Sequence, residues 1–170
     1  MNDREQYEAA ERQHLLVQSF LPRVDSKVSA LFAVAAGELA IICLNVTRAS
    51  LITWWAAIPL AVALILIATS VILLYKCAFP HLDGGHSSLI FFKEVAKRTE
   101  VDFQREWKAA DYANLLNDML GQVWGNSIIV SKKFFYLKWA SISIAASLLP
   151  WGAYLAASSF ITSKMIQIST

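Results

Sequence analysis

Glu38 is the residue whose position most invites chemistry. It stands in "AVAAGELAIICLNV" as the only charge between residues 28 and 46. A carboxylate at the centre of a bilayer costs on the order of 2.5–3.5 kcal/mol on insertion scales, and intramembrane acids are functional candidates for that reason. No Lys or Arg lies in the other two long apolar runs to pair with it. Its available partners are hydroxyls: Ser143 and Ser147 on the third run, Thr69 and Ser70 on the second. It is either a neutral acid hydrogen-bonded across helices at rest or a residue that lines a polar path once helices separate or assemble. Small residues recur beside it at a spacing of four, Ala33 with Gly37 and Ala36 with Ala40. Such faces let membrane helices approach closely. They predict an association face, with Glu38 turned inward beside Gly37.

Other reactive side chains form weaker patterns. "HLDGGH" places His81, Asp83 and His86 on a turn. A metal site usually needs a third or fourth ligand at recognisable spacing, and none is evident, so no metal is expected. Cys43 and Cys77 have no metal spacing and read as small buried hydrophobes. There is no Gly-rich phosphate loop, nucleophile elbow or zincin motif. The expectation is a protein that is not an enzyme and carries no cofactor.

The elements that must hold Glu38 are read from the distribution of apolar residues. The chain has 170 residues, 56% hydrophobic and 16% charged. Its apolar excess sits in three blocks, residues 28–46, 51–75 and 139–162, and the last two have no charge. Each is long enough to span a bilayer as a helix. A chain this small has no core able to bury three such helices in water. The first block follows a polar arm, residues 1–27, rich in acids as well as bases and unlike the basic start of a signal peptide. Only "TRAS" joins the first two blocks, which predicts an antiparallel helical hairpin. The fold class is therefore an all-α membrane protein. It has three transmembrane helices, an N-terminal polar helical arm and a small helical region at residues 76–138 between spans two and three. Residues 163–170 form a tail.

Basic residues set the expected orientation. The arm and the 76–138 region share one side and hold thirteen Lys and Arg; the turn and the tail hold two, Arg48 and Lys164. Cytoplasmic segments carry the excess of Lys and Arg. The N-terminus is thus expected inside and the C-terminus outside. Trp54, Trp55, Tyr75 and Trp139 fall at the block borders, where aromatic belts sit.

Within residues 76–138, Pro80 and the Gly84-Gly85 pair punctuate the chain. "LIFFKEVAKR" then reads as helix, with Leu89, Phe92, Val95 and Ala96 on one stripe. Thr99 and Asp102 in "TEVD" form a capping box. From Glu100 no proline occurs until Pro150, so one or two helices are expected to run into the third block. Gly121 and Gly125 would kink that run or admit a neighbouring helix.

Several segments in order, "RVDSKVSALFAV", "FPHL", "LIFFKEVAK" and "DYANLLNDMLGQVWGNSIIVSKKFFYLKWA", carry a family likeness. The chain resembles the transmembrane effectors of Pycsar, the bacterial pyrimidine-cyclase antiphage defence systems (the PycTM family), over about residues 20–160. The firmest parts are Arg23, Asp25 and Lys27, and the run Gln122, Asn126, Ser127 and Lys133. The resemblance implies an inner-membrane effector in a bacterium. A partner cyclase senses phage and makes cyclic CMP or cyclic UMP; the effector responds, membrane integrity is lost, and the infected cell stops growing or dies. It implies no nucleic-acid partner, and a homo-oligomer in the bilayer fits it.

The residues show no β-roll with a phosphate cassette, so a cyclic nucleotide would need a helical pocket. A cyclic phosphate calls for Arg or Lys; Arg23, Lys27, Lys132 and Lys133 are the candidates. A base calls for a flat aromatic face and amides; Trp107, Trp124 and Asn126 are the candidates. Ordinary roles at the membrane border and in packing compete for each. Two other functions remain open: a membrane scaffold that recruits a soluble partner through the helical region, and a proton-coupled transporter subunit using Glu38.

Overall fold

The computed structural model describes residues 2–79 and 87–169. Six helices follow in order: α1 Asp3–Asn45, α2 Arg48–Ile52, α3 Trp54–Ala78, α4 Phe92–Val95, α5 Glu100–Ala109 and α6 Tyr112–Ser169. No strand occurs among the described residues. Three helices, α1, α3 and α6, are long and apolar enough to cross a membrane. They contain the three apolar blocks. Helix α1 also takes in the polar arm and continues through Pro22. Pro80, His81, Asp83, Gly84, Gly85 and His86 lie outside the described residues.

Two compact units result: Met1–Asp25 with Pro80–Phe134, and Ser26–Phe79 with Phe135–Thr170. The second unit holds the apolar blocks. On α3 its buried residues are Ala56, Leu60, Ala63, Ile67, Ser70, Leu74 and Cys77, spaced alternately four and three apart. Val28, Ala35, Glu38 and Ile42 keep the same register on α1, and Leu137, Ala140, Ile144, Ser147, Tyr154 and Ser158 keep it on α6. An average step of 3.5 residues is the period of left-handed coiled-coil packing. Polar side chains occupy stripe positions at Glu38, Ser70, Ser147 and Ser158. The end of α1 is fixed by the same stripe. Asn45 offers its carbonyl, which would otherwise lack an intrahelical partner, to the Tyr154 hydroxyl at 3.0 Å and the Ser158 hydroxyl at 2.8 Å.

The hairpin connection is more than the four-residue turn expected. Thr47 caps α2: its hydroxyl accepts from the Ser50 amide at 3.1 Å, while the Ser50 hydroxyl accepts from the Thr47 amide at 3.0 Å. Because both amides are satisfied, a short helix forms and absorbs Leu51 and Ile52. The long helix starts only at Trp54.

In the first unit Ala10, His14, Val17 and Val24 are buried on α1 in the same steps, and Met119, Gln122, Val130 and Lys133 are buried on α6. Tyr7 meets Tyr112, and Phe20 meets Phe134, each edge to face at 6.4 Å between ring centres. The helix expected across "LIFFKEVAKR" shrinks to the single turn Phe92–Val95. Side-chain acceptors take the amides ahead of it. Asp118 accepts from Leu89 at 2.7 Å and Ile90 at 3.2 Å, and the Ser88 hydroxyl accepts from Phe91 at 2.8 Å. Arg98 completes this turn by donating to the carbonyls of Ser87, Ser88 and Glu94 and pairing with Glu106 at 2.7 Å.

Thr99 caps α5 as the sequence indicated, accepting from the Asp102 amide at 3.2 Å and donating to its carboxylate at 2.7 Å. That hydroxyl, with Arg105, holds the Asp102 carboxyl below its ordinary range. Two helices, α5 and α6, cover the run from Glu100 into the third block. They break at Ala110, and Asp111 caps α6 by accepting from the Asn114 amide at 2.8 Å. Helix α6 runs on through Gly121 and Gly125. A Cβ at either would meet nothing within 4 Å, so neither glycine admits a neighbouring helix of this chain.

Candidate functional site

Two polar clusters stand out, one in each unit. In the second unit the heptad register turns Glu38 inward, leaving it 5% exposed. Ser147 donates to Glu38 Oε2 at 2.8 Å, and the Ser147 hydroxyl also lies 2.7 Å from the Ile144 carbonyl. The Trp151 indole donates to the Glu38 carbonyl at 3.3 Å. Of the hydroxyls considered as partners, Ser147 makes the bond, while Thr69 turns back to the Ile65 carbonyl at 2.8 Å. Two buried atoms here have no hydrogen-bond partner: Glu38 Oε1 and Ser70 Oγ.

Glu38 and the small-residue face do not share a side. Ala33, Ala36, Gly37 and Ala40 are exposed on the chain, and a Cβ at Gly37 would meet nothing within 4 Å. One residue along an α-helix is a turn of about 100°, so Gly37 can face outward while Glu38 holds the buried stripe. The expected link between the two is corrected accordingly.

In the first unit Asp25 and Lys133 form an ion pair at 2.5 Å, with side-chain exposures of 54% and 6%. Arg23 is exposed and lies over the Phe20 ring at 5.7 Å. Lys132 and Trp124 are exposed, and Asn126 is half-buried. Ser127 is exposed and donates to the Val123 carbonyl at 2.7 Å. Lys27, in the other unit, is exposed. Among the eight candidate ligand residues, Asp25 and Lys133 are joined by a direct bond. Trp107 is also exposed, on α5. Neither Cys43 nor Cys77 is in a disulfide, and no group of three or more His, Cys, Asp or Glu fit to hold a metal occurs among the described residues.

His14 and Gln122 are buried polar residues that phosphate and base chemistry does not single out in the sequence. Gln122 donates to the Ser88 hydroxyl at 3.3 Å. The Gln18 amide lies 2.9 Å from His14 Nε2, and His14 Nδ1 is buried without a partner. The signal that could have found both is the alternating three-and-four spacing, which places them beneath the surface with Ala10, Val17 and Met119. Nearby, burial raises the Tyr7 phenol's pKa, helped by Glu11 and Asp118.

Burial pushes the His14 pKa down. Its folded-state value therefore lies below the unfolded one, near 6.5. Across that window the unfolded chain binds more protons, so stability falls as pH falls. Unfolding followed from neutral to mildly acidic pH should show this loss, and His14→Leu should flatten it. An unchanged slope in the variant would assign the acid sensitivity elsewhere.

Residues 9–158 fit the family described as PycTM, Pycsar effector protein domain. No curated protein and no solved structure matched.

Proposed function

The chain belongs to the PycTM family of Pycsar effectors, and on that premise we propose that it is a gated inner-membrane effector. A partner cyclase supplies cyclic CMP or cyclic UMP. The nucleotide binds on the cytoplasmic side, the membrane helices repack, and the membrane becomes permeable. The infected cell then fails before phage mature. The observation that carries this reading is the family match over residues 9–158, which takes in most of all three long apolar helices.

The nucleotide's phosphate is assigned to Arg23, Lys132 and Lys133 of the first unit. Trp124 and Asn126 are assigned to the base, and Asp25 and Ser127 to the sugar. A phosphate that competes for Lys133 would loosen its pair with Asp25, which supplies a physical trigger. The exposed face of Ala33, Gly37 and Ala40 is assigned to a second copy of the chain, since small residues permit close approach in lipid. Pro150, within one turn of Ser147, removes a backbone donor near Glu38 and marks a place where α6 bends at low cost.

The test is binding of cyclic CMP, UMP, AMP and GMP to the purified chain, paired with dye entry into cells. Saturable binding of a pyrimidine nucleotide that also evokes dye entry is the expected result; binding of none sinks the reading. Arg23→Lys keeps a border charge but loses the bidentate fork. It should shift the nucleotide dose response to higher concentration with insertion unchanged. A superimposable dose response would leave Arg23 only an anchoring role.

Orientation has its own test. The excess of Lys and Arg in the arm and the 76–138 region supports a cytoplasmic position for both. A reporter fused at the C-terminus should be active in the periplasm, and cytoplasmic activity would contradict three spans.

A further inference from the structure

Glu38 Oε1 and Ser70 Oγ are both buried in the second unit and lack partners. The register follows from three contacts. Glu38 with Ser147, and Asn45 with Ser158, show that α1 and α6 advance in parallel. The hairpin then makes α3 antiparallel to both, and Trp55 meets Phe160 at 6.3 Å. From that level Ser70 lies about 22 Å along α3 and Ser147 about 20 Å back along α6, at 1.5 Å per residue. Ser70 is fully buried on the stripe of α3. Glu38, Ser147 and Ser70 thus form one polar layer, contributed by three helices.

We propose that this layer is a binding site for a small monovalent cation. Its donors are all oxygen, from one carboxylate and two hydroxyls, the set that hard cations take. The three apolar blocks hold no Lys or Arg that could neutralise Glu38. For the ionised carboxylate, a water molecule would satisfy the two unpartnered atoms but leave the buried charge uncompensated. A divalent ion would replace one uncompensated charge by another. A monovalent cation balances the carboxylate and fills both vacancies in its hydrogen-bonding shell. The same layer then gives any path that opens between these helices a preference for cations, because acidic side chains select them. The inference depends on the helices being membrane spans and not on which nucleotide activates the chain.

The experiment uses the full chain in lipid nanodiscs, without nucleotide. Infrared difference spectra are taken between choline chloride and sodium or potassium chloride at equal ionic strength. Choline is too large for the layer, so it controls for screening. The expected result is a cation-dependent change in a carboxyl band that disappears in Glu38→Gln. Ser70→Ala keeps the charge and removes one ligand; it should raise the half-effect concentration about fivefold. Identical spectra in choline and alkali salts overturn the site, as does a band change that survives Glu38→Gln. Wild-type cation dependence in Ser70→Ala overturns the three-helix layer. Adding cyclic CMP or UMP to the same discs tests the earlier reading separately: a chain that responds to cations and to no nucleotide keeps this site and loses that function.

Discussion

Glu38→Leu should reduce nucleotide-evoked dye entry about tenfold at matched abundance, while the resting protein becomes harder to unfold. A factor of ten corresponds to ~1.4 kcal/mol of difference between closed and open states, and two effects point the same way. In the closed bundle without a bound cation, Glu38 carries a buried oxygen that lacks a partner, an arrangement that costs about 1–3 kcal/mol. Leucine removes that cost. It also creates no new vacancy, because the Ser147 hydroxyl keeps the Ile144 carbonyl at 2.7 Å. In an open state a wetted carboxylate is favourable and a leucine is not. A group alters a switch only through its difference between the two states, and here the difference has one sign. Glu38→Gln keeps the shape and the hydrogen bond to Ser147, so its loss should be smaller. Thermal unfolding in detergent and dye entry in cells measure the two halves. A leucine variant that permeabilises cells like wild type would remove Glu38 from the switch.

The three apolar blocks were legible because a bilayer tolerates so little else. Runs of nineteen or more residues with at most one charge leave few alternatives. The inward direction of Glu38 was legible for the same reason, since no lipid-facing carboxylate is cheap. The stripe that orients it was harder to see. Hydrophobic periodicity needs a polar face for contrast, and in a membrane helix both faces are apolar. Ala56, Ala63 and Ser70 sit inside, while Ile58, Ile65 and Ile72 face out. Small residues mark the buried side there, which inverts the rule for soluble helices. On α1 the exposed face is also small, so Ala33 and Gly37 could not say which way Glu38 pointed. The connector failed for a different reason. "LIFFKEVAKR" has helical spacing, but Asp118, some 28 residues further on, takes the Leu89 and Ile90 amides. A local pattern does not reveal a competitor that distant. The candidate ligand residues were legible only as charges and rings, because pairing partners such as Asp25 and Lys133 are set by the register between α1 and α6.

That pair gives the second large effect, and its size differs between the partners. Asp25→Ala should destabilise the first unit by about 1–3 kcal/mol, whereas Lys133→Met should change it by less than about 1 kcal/mol. The asymmetry comes from exposure. The Lys133 side chain is 6% exposed on the buried stripe, and Asp25 is 54% exposed. Losing Asp25 strips the nearest carboxylate from a nearly buried ammonium. Losing Lys133 leaves a half-exposed carboxylate that water solvates, and methionine fills the stripe with similar volume. The cost stays below the 3–5 kcal/mol of a fully buried pair because one partner is already wet. Urea or thermal unfolding of both variants measures this directly; equal losses would mean that the ion pair matters for its bond rather than for the burial of Lys133. The functional readout separates the two roles of the lysine. If Lys133 meets the nucleotide's phosphate, Lys133→Met should remain folded and inserted yet lose its response to cyclic CMP and UMP. A folded Lys133→Met that responds at the wild-type dose would confine Lys133 to holding α6 against α1 within the first unit.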